Sequence, residues 1–171
     1  LTQLSLYQNL ASPSARILII EPGDRKEEIA GHFGKILGWT TKESEQFLIR
    51  VMDTEPMLVE GKFAPSTYTV HTDATPAEVA KLVTDRFSAT VASRYTKEIE
   101  LQIPLKNTLV IASMIEREAY NFEDMRFISG IIWNRLFVGM KLQIDATLQY
   151  AKGSESTQSW WPRPVPKDKY I

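Results

Sequence analysis

Residues 125–138 read MRFISGIIWNRLFV, a stretch with apolar side chains on nearly every side of a helical wheel. A helix of this kind has no wet face, so the pattern predicts a central helix in a mainly helical part of the chain. Asn134 and Arg135 are the exceptions, and polar groups in such surroundings require a reason. Asn121, with Asp124 three residues later, predicts the N-cap, and Gly139 predicts closure in the left-handed conformation.

The first part of the chain has a different rhythm. RILII, 16–20, is a β-type run, the turn EPGD follows, and RKEEIAGHFGKIL spaces Ile29, Phe33, Ile36 and Leu37 helically. Thr40 or Thr41 caps a second helix, KESEQFLIRVM. EGKFAPSTYTVH, 60–71, alternates around a proline as an edge strand or ordered loop does. Thr75, Pro76 and Glu78 form a capping box that opens a long helix toward Tyr95. KLQIDATLQYAKG reads as a strand leading into a short helix, capped by Asp145 and ended by Gly153. The class expected is α+β: a small strand–helix–helix subdomain over 1–58, then a mainly helical domain with short strands over 59–171.

With 20 basic and 21 acidic residues and no basic run, nothing in the charge calls for nucleic acid. No cysteine is present, which removes disulfides, thiolate zinc sites and cysteine nucleophiles. His32 and His71 lie far apart and support no metal site. No Gly-x-Ser-x-Gly elbow, phosphate loop or Schiff-base lysine motif stands out, so acid chemistry remains. No apolar run reaches the ~20 residues of a membrane span. The chain starts at Leu1 rather than Met, which leaves room for an N-terminal signal or anchor upstream. It stops at PVPKDKYI after a Pro-rich loop, so the domain is expected to be truncated at its C-terminal end.

ASMIEREA, 112–119, carries two acids two positions apart, a rotation of about 200° on a helix. Taking 107–122 as one helix gathers Ile111, Met114, Ile115, Ala119 and Phe122 in one arc with Glu118 inside it. Glu116 projects on the other side. Burial in that arc would favour the protonated form of Glu118 and makes it a candidate for a functional site, the alternatives being a long side chain that snorkels to water or one half of a structural ion pair.

The segment 112–150 closely resembles the endolytic murein transglycosylase family (MltG, YceG-like). Ala112, Ser113, Glu116, Arg117 and Glu118 match its Ala-Ser-Ile-[Ile/Val]-Glu-[Lys/Arg]-Glu run. Asn134, Arg135, Leu136, Gly139, Met140, Leu142, Gln143, Asp145, Thr147 and Tyr150 match its later Asn-Arg-Leu, Gly-Met, Leu-Gln, Asp-Pro-Thr and Tyr positions. EGKFAPSTYTV is similar to a Glu-Gly-x-x-x-Pro-[Asp]-Thr-Tyr segment, and IEPGDRKEEIAGHF to the family's LysM-like N-terminal portion. Ser66 stands where an Asp is usual, Ala64 replaces a bulky aromatic and Ala146 replaces a proline.

The resemblance implies a lytic transglycosylase that cuts the β-1,4 bond between N-acetylmuramic acid and N-acetylglucosamine without water. Anhydromuramyl ends result, terminating or trimming nascent strands. It assigns the catalytic acid to Glu118, with Glu116, Asn134, Gln143 and Asp145 in substrate-binding or supporting roles, and it implies no cofactor and no metal. The partners implied are peptidoglycan strands, penicillin-binding proteins and other cell-wall synthesis proteins, with no nucleic acid. The place implied is the outer face of a bacterial cytoplasmic membrane. The alternatives are a glycan-binding or scaffold module that does not cut and, behind it, an aminodeoxychorismate lyase, a label also attached to the family. In the SWWPRP loop, Trp160 and Trp161 either stack on sugar or form an internal aromatic clamp.

Overall fold

A computed structural model describes residues 14–53, 60–153, 159–165 and 168. The chain divides into two compact units between Lys106 and Asn107.

In the first unit, β1 (Ala15–Ile20) is followed by α1 (Lys26–Leu37), α2 (Thr41–Asp53) and β2 (Ser66–His71). The strands pair antiparallel, from Ala15 opposite His71 to Ile20 opposite Ser66. Alternation sends Leu18 and Ile20 inward and Ile17 and Ile19 outward, so one face of the ribbon is free to pack on helices. α3 (Pro76–Thr90) adds Val79, Val83 and Phe87 at four-residue spacing, and its Val79 and Val83 join the core formed by Leu18, Ile29, Phe33, Val51 and Phe63. Phe47 lies at the centre, with ring centroids of Phe33, Trp39 and Phe63 at 5.5, 5.8 and 5.9 Å. Each fully buried side chain of this size contributes about 1.5–3 kcal/mol. The division expected after residue 58 falls inside this core, because β2 supplies half of the sheet and α3 supplies Val79 and Val83.

The helix ends are fastened individually. Thr40, rather than Thr41, caps α2: its backbone and hydroxyl donate to Glu43 Oε2 at 2.8 Å, and its hydroxyl accepts from Glu43 N. Thr75 and Glu78 make the same reciprocal box on α3, with Pro76 in the first turn as expected. α3 then tightens into a 3₁₀ turn, Ala92–Arg94, before Tyr95. The EGK segment clips two helices at opposite ends. Glu60 accepts from the backbone N–H and ammonium of Lys26 at the start of α1, at 3.1 and 2.9 Å. Lys62, only 2% exposed, gives its ammonium to the carbonyls of Val51 and Met52 in the last turn of α2, at 3.0 and 3.3 Å. The charges match the two helix dipoles.

A short helix absent from the sequence reading, α4 (Lys97–Gln102), precedes Pro104. α5 (Leu105–Glu118), α6 (Phe122–Phe137) and α7 (Asp145–Lys152) follow. Asn121 caps α6 by accepting from Asp124 N at 3.0 Å. Gly139, at φ 66°, closes it: Met140 N donates to Arg135 O and Gly139 N to Leu136 O, the paired bonds of a Schellman turn.

The architecture is α+β, yet two expectations for the second unit do not hold. KLQI, 141–144, forms no strand; Gln143 takes φ 53°, which breaks the alternation a strand needs. α6 is not enclosed either. Ile132 is its buried residue, whereas Phe127 and Phe137 are 72% and 79% exposed. The other two helices of this unit, α5 and α7, and the loop 159–165 offer too little surface among the described residues to surround it.

Replacing Lys62 by Met removes the ammonium that donates to two helix-end carbonyls, and the expected cost is about 2–4 kcal/mol in a urea unfolding curve; a loss below about 0.5 kcal/mol would contradict the clip. A second expectation concerns acid. Hydrogen bonds from the Thr40 backbone and hydroxyl hold the Glu43 carboxyl below its ordinary 4.5, and those of Thr75 do the same for Glu78. A carboxyl whose folded value is depressed stabilises above its unfolded value, and that contribution is lost as pH falls through the folded one. The melting temperature therefore falls on acidification below about pH 4.5, and the paired Glu43→Gln, Glu78→Gln variant shows a shallower fall.

Candidate active site

α5 carries the two acids of ASMIEREA. It starts behind Pro104 with Leu105 N donating to Glu100 Oε2 at 2.9 Å, and it stops at Glu118. Residues 119–121 interrupt the helix, so Phe122 belongs to α6 and lies 72% exposed instead of completing an apolar arc over Glu118. Met114, one turn back on the same face, is buried and Ile111 half-buried. Glu118 itself, at the last position, is exposed, while Glu116 is half-buried. The enclosure expected for Glu118 is thus absent, because the helix ends before the arc closes.

Neither acid forms an ion pair or side-chain hydrogen bond among the described residues. The cation between them, Arg117, points elsewhere: its guanidinium carbon lies 3.8 Å from the centroid of the Trp161 ring. Tyr150 of α7 approaches the same ring, with centroids 6.3 Å apart and planes at 52°. Trp161 is therefore engaged internally, the clamp reading of the SWWPRP loop. The loop's position is set by Asp168, 2% exposed, which accepts from Lys152 Nζ and from Val165 N at 2.6 Å each.

The other residues singled out lie in the same unit. Asn134 is exposed in the last turn of α6, and its side chain makes no hydrogen bond among the described residues. Arg135 donates to the Leu142 carbonyl and so shapes the segment that leads to Gln143. Gln143 is exposed and left-handed, a conformation that costs a non-glycine residue about 1–2 kcal/mol. Asp145 is the first residue of α7 and not its cap; Ile144 holds the cap position, and the Asp145 carboxylate complements the helix dipole. No hydrogen bond or ion pair among the described residues joins Glu118, Asn134, Gln143 and Asp145 to one another.

Two features escaped the spacing argument: the stack of Arg117 on Trp161 and the left-handed Gln143, which no periodicity encodes. A third lies in the first unit, where His71 Nδ1 hydrogen-bonds Asp73 Oδ1, a carboxylate just two residues on. That bond holds the Asp73 carboxyl below its ordinary value. An open groove lined by His71, Asp73, Glu78, Lys81 and Asp85 carries none of the motif residues.

Comparison with known proteins now decides the family. The sequence profile of the YceG-like family matches residues 1–166. The chain belongs to the YceG-like family. An endolytic murein transglycosylase of Streptococcus pneumoniae (strain D39) is 26% identical over 167 residues, covering 82% of this chain and 30% of that protein. An endolytic murein transglycosylase of Bacillus subtilis (strain 168) is 30% identical over 96 residues, 56% of this chain and 27% of that one. This YceG-like chain therefore spans less than a third of the length of the curated relatives it matches. The crystal structure of a YceG-like protein from Listeria monocytogenes superposes with a TM-score of 0.71 over 99% of this chain and 61% of that one, at 21% identity, which establishes the shared fold. Among the described residues no helix is long and apolar enough to cross a membrane.

The left-handed position separates two roles of Gln143. Gln143→Gly removes the side chain and the strain together, so its melting temperature is expected at or above that of the parent, whereas Gln143→Ala keeps the strain and gains nothing. A Gly variant that melts several degrees lower would mean that the side chain, not the backbone, holds this turn.

Proposed function

We propose that this chain carries the cleavage residues of a peptidoglycan lytic transglycosylase and that Glu118 is its acid and base. What supports the reading is the family's Glu-[Lys/Arg]-Glu motif on α5, whose second acid stands exposed at the helix end and outside any ion pair among the described residues.

The proton balance closes with one carboxyl group. Protonated Glu118 gives its proton to the glycosidic oxygen as the bond from the muramyl anomeric carbon to that oxygen breaks. The muramyl C6 hydroxyl forms the new bond to the same carbon, and its proton returns to the Glu118 carboxylate. The products are a free N-acetylglucosamine hydroxyl and a 1,6-anhydromuramyl end. No water enters, so the two-carboxylate spacing of ordinary glycosidases places no demand on Glu116. Glu118 is exposed among the described residues, and the chemistry calls for a cover that excludes water once the glycan is bound. Asn134, Gln143 and Asp145 act as glycan contacts or as holders of Glu118, and Glu116 has a supporting or merely solvated role. The LysM-like portion is the stretch 1–58, which lies within the first unit. The reaction belongs on the outer face of the cytoplasmic membrane, beside the penicillin-binding proteins and other enzymes of wall synthesis, with an anchor upstream of Leu1.

A second reading, a glycan-binding or scaffold module that does not cut, draws on the exposure of Glu118 and on Ala64, Ser66 and Ala146 at positions where the family carries other residues.

Digestion of purified peptidoglycan by the full-length protein, with mass spectrometry of the ends, separates the two. The expected result is anhydromuramyl ends with the parent, a loss of roughly 10²–10⁴-fold for Glu118→Gln with its fold intact, and less than about tenfold for Glu116→Gln. Equal losses at the two positions would defeat the assignment, and binding without new ends would favour the scaffold.

A further inference from the structure

Arg117 sits between the two acids of the motif and turns to neither. Adjacent helical residues do not face each other, so its guanidinium is not placed to neutralise Glu116 or Glu118. It lies instead 3.8 Å from the Trp161 ring centroid, and a cation over an indole face is attracted by the ring quadrupole.

Trp161 is itself fixed. Its loop is fastened by the buried Asp168, which accepts from the Lys152 ammonium and from Val165 N, while Asp168 N donates to Val165 O at 2.8 Å. Lys152 is the last residue of α7, and Tyr150 of the same helix flanks the indole. A chain of contacts thus runs from α7 through Asp168 and the loop to Trp161, and from there to Arg117 at the end of α5.

Glu118 has the opposite situation. It is the terminal residue of α5, where the last carbonyls have lost their helical donors and the backbone opens most easily. Its own carboxylate makes no contact among the described residues that would steady it. A group that passes a proton to a substrate oxygen needs placement within about half an ångström. The side chain next to it that is tied to another element is Arg117.

We propose that Arg117 and Trp161 are positioning residues: their stack pins the last turn of α5 to the loop 159–165 and so fixes the backbone from which Glu118 reaches the glycan. The cation of the Glu-[Lys/Arg]-Glu motif is there to dock this loop. The proposal rests on the transglycosylase reading above, and its test keeps the two apart.

The full-length protein and four variants, Trp161→Leu, Trp161→Phe, Arg117→Lys and Arg117→Gln, are assayed on purified murein, together with the double change Arg117→Gln, Trp161→Leu. NMR of the arginine side chains reads the stack directly, as an upfield ring-current displacement of the Arg117 signals. The expected pattern is that displacement in the parent and its loss in Trp161→Leu. Trp161→Leu and Arg117→Gln should lower kcat by about 3- to 30-fold with KM little changed, the double change being no worse than either single one. Trp161→Phe and Arg117→Lys should recover most of the rate, which a mere packing defect would not do. No displacement in the parent, full rate in Trp161→Leu, no recovery in the conservative variants, or losses that multiply in the double change would each overturn the proposal. A folded parent that shows the displacement and releases no anhydromuramyl ends overturns the transglycosylase reading and the positioning role together. Parent cleavage untouched by all the variants overturns the positioning role alone.

Discussion

The ammonium of Lys62 is the interaction on which the first unit turns. A buried charge is costly to desolvate and persists where it satisfies groups that would otherwise be left unpaired. Here the Lys62 ammonium donates to the Val51 and Met52 carbonyls at the close of α2, and Glu60, two residues earlier, takes the start of α1. One short segment therefore fixes both helices against the ribbon of β1 and β2. The EGK sequence is legible as a motif, but its physics lies in the ends of helices that are distant along the chain.

Helix ends govern the second unit too. The apolar arc that placed Glu118 in a wall of Ile111, Met114 and Phe122 is valid while the helix continues. α5 stops at Glu118 and the chain re-enters helix at Phe122, with Asn121 as its cap. The same wheel therefore picks the right face and overstates its extent: Met114 is buried and Phe122 is not. The cap that ends the arc was itself visible in the sequence, so reading the Asn121 cap against the wheel would have shortened the helix.

Local chemistry was the most legible part. The Thr75 box with Pro76, the Asn121 cap and the left-handed Gly139 all stand where residue type and spacing put them, because each depends on neighbours within a few positions. Long-range facts were not legible. The pairing of β1 with β2 carried the first core past residue 58. The apolar outline of MRFISGIIWNRLFV says what the helix can bury but not what lies beside it, and Phe127 and Phe137 remain at the surface. The seat of Arg117 on Trp161 joins positions more than forty residues apart. Of the residues the motif marks, Arg135 and Gln143 acquire physical meaning from the backbone they shape, a hydrogen bond to the Leu142 carbonyl and a left-handed turn.

A single carboxyl that gives and then retakes a proton needs no water, and that is the feature that sets the proposed chemistry apart from hydrolysis on the same substrate. The most direct measurement is digestion of purified glycan strands by the full-length protein in heavy-oxygen water, with the isotope content of the new muramyl ends read by mass spectrometry. The expected ends lack the elements of water and carry no heavy oxygen. Reducing ends that contain one heavy oxygen each would show that water is the nucleophile and would contradict the proposed chemistry.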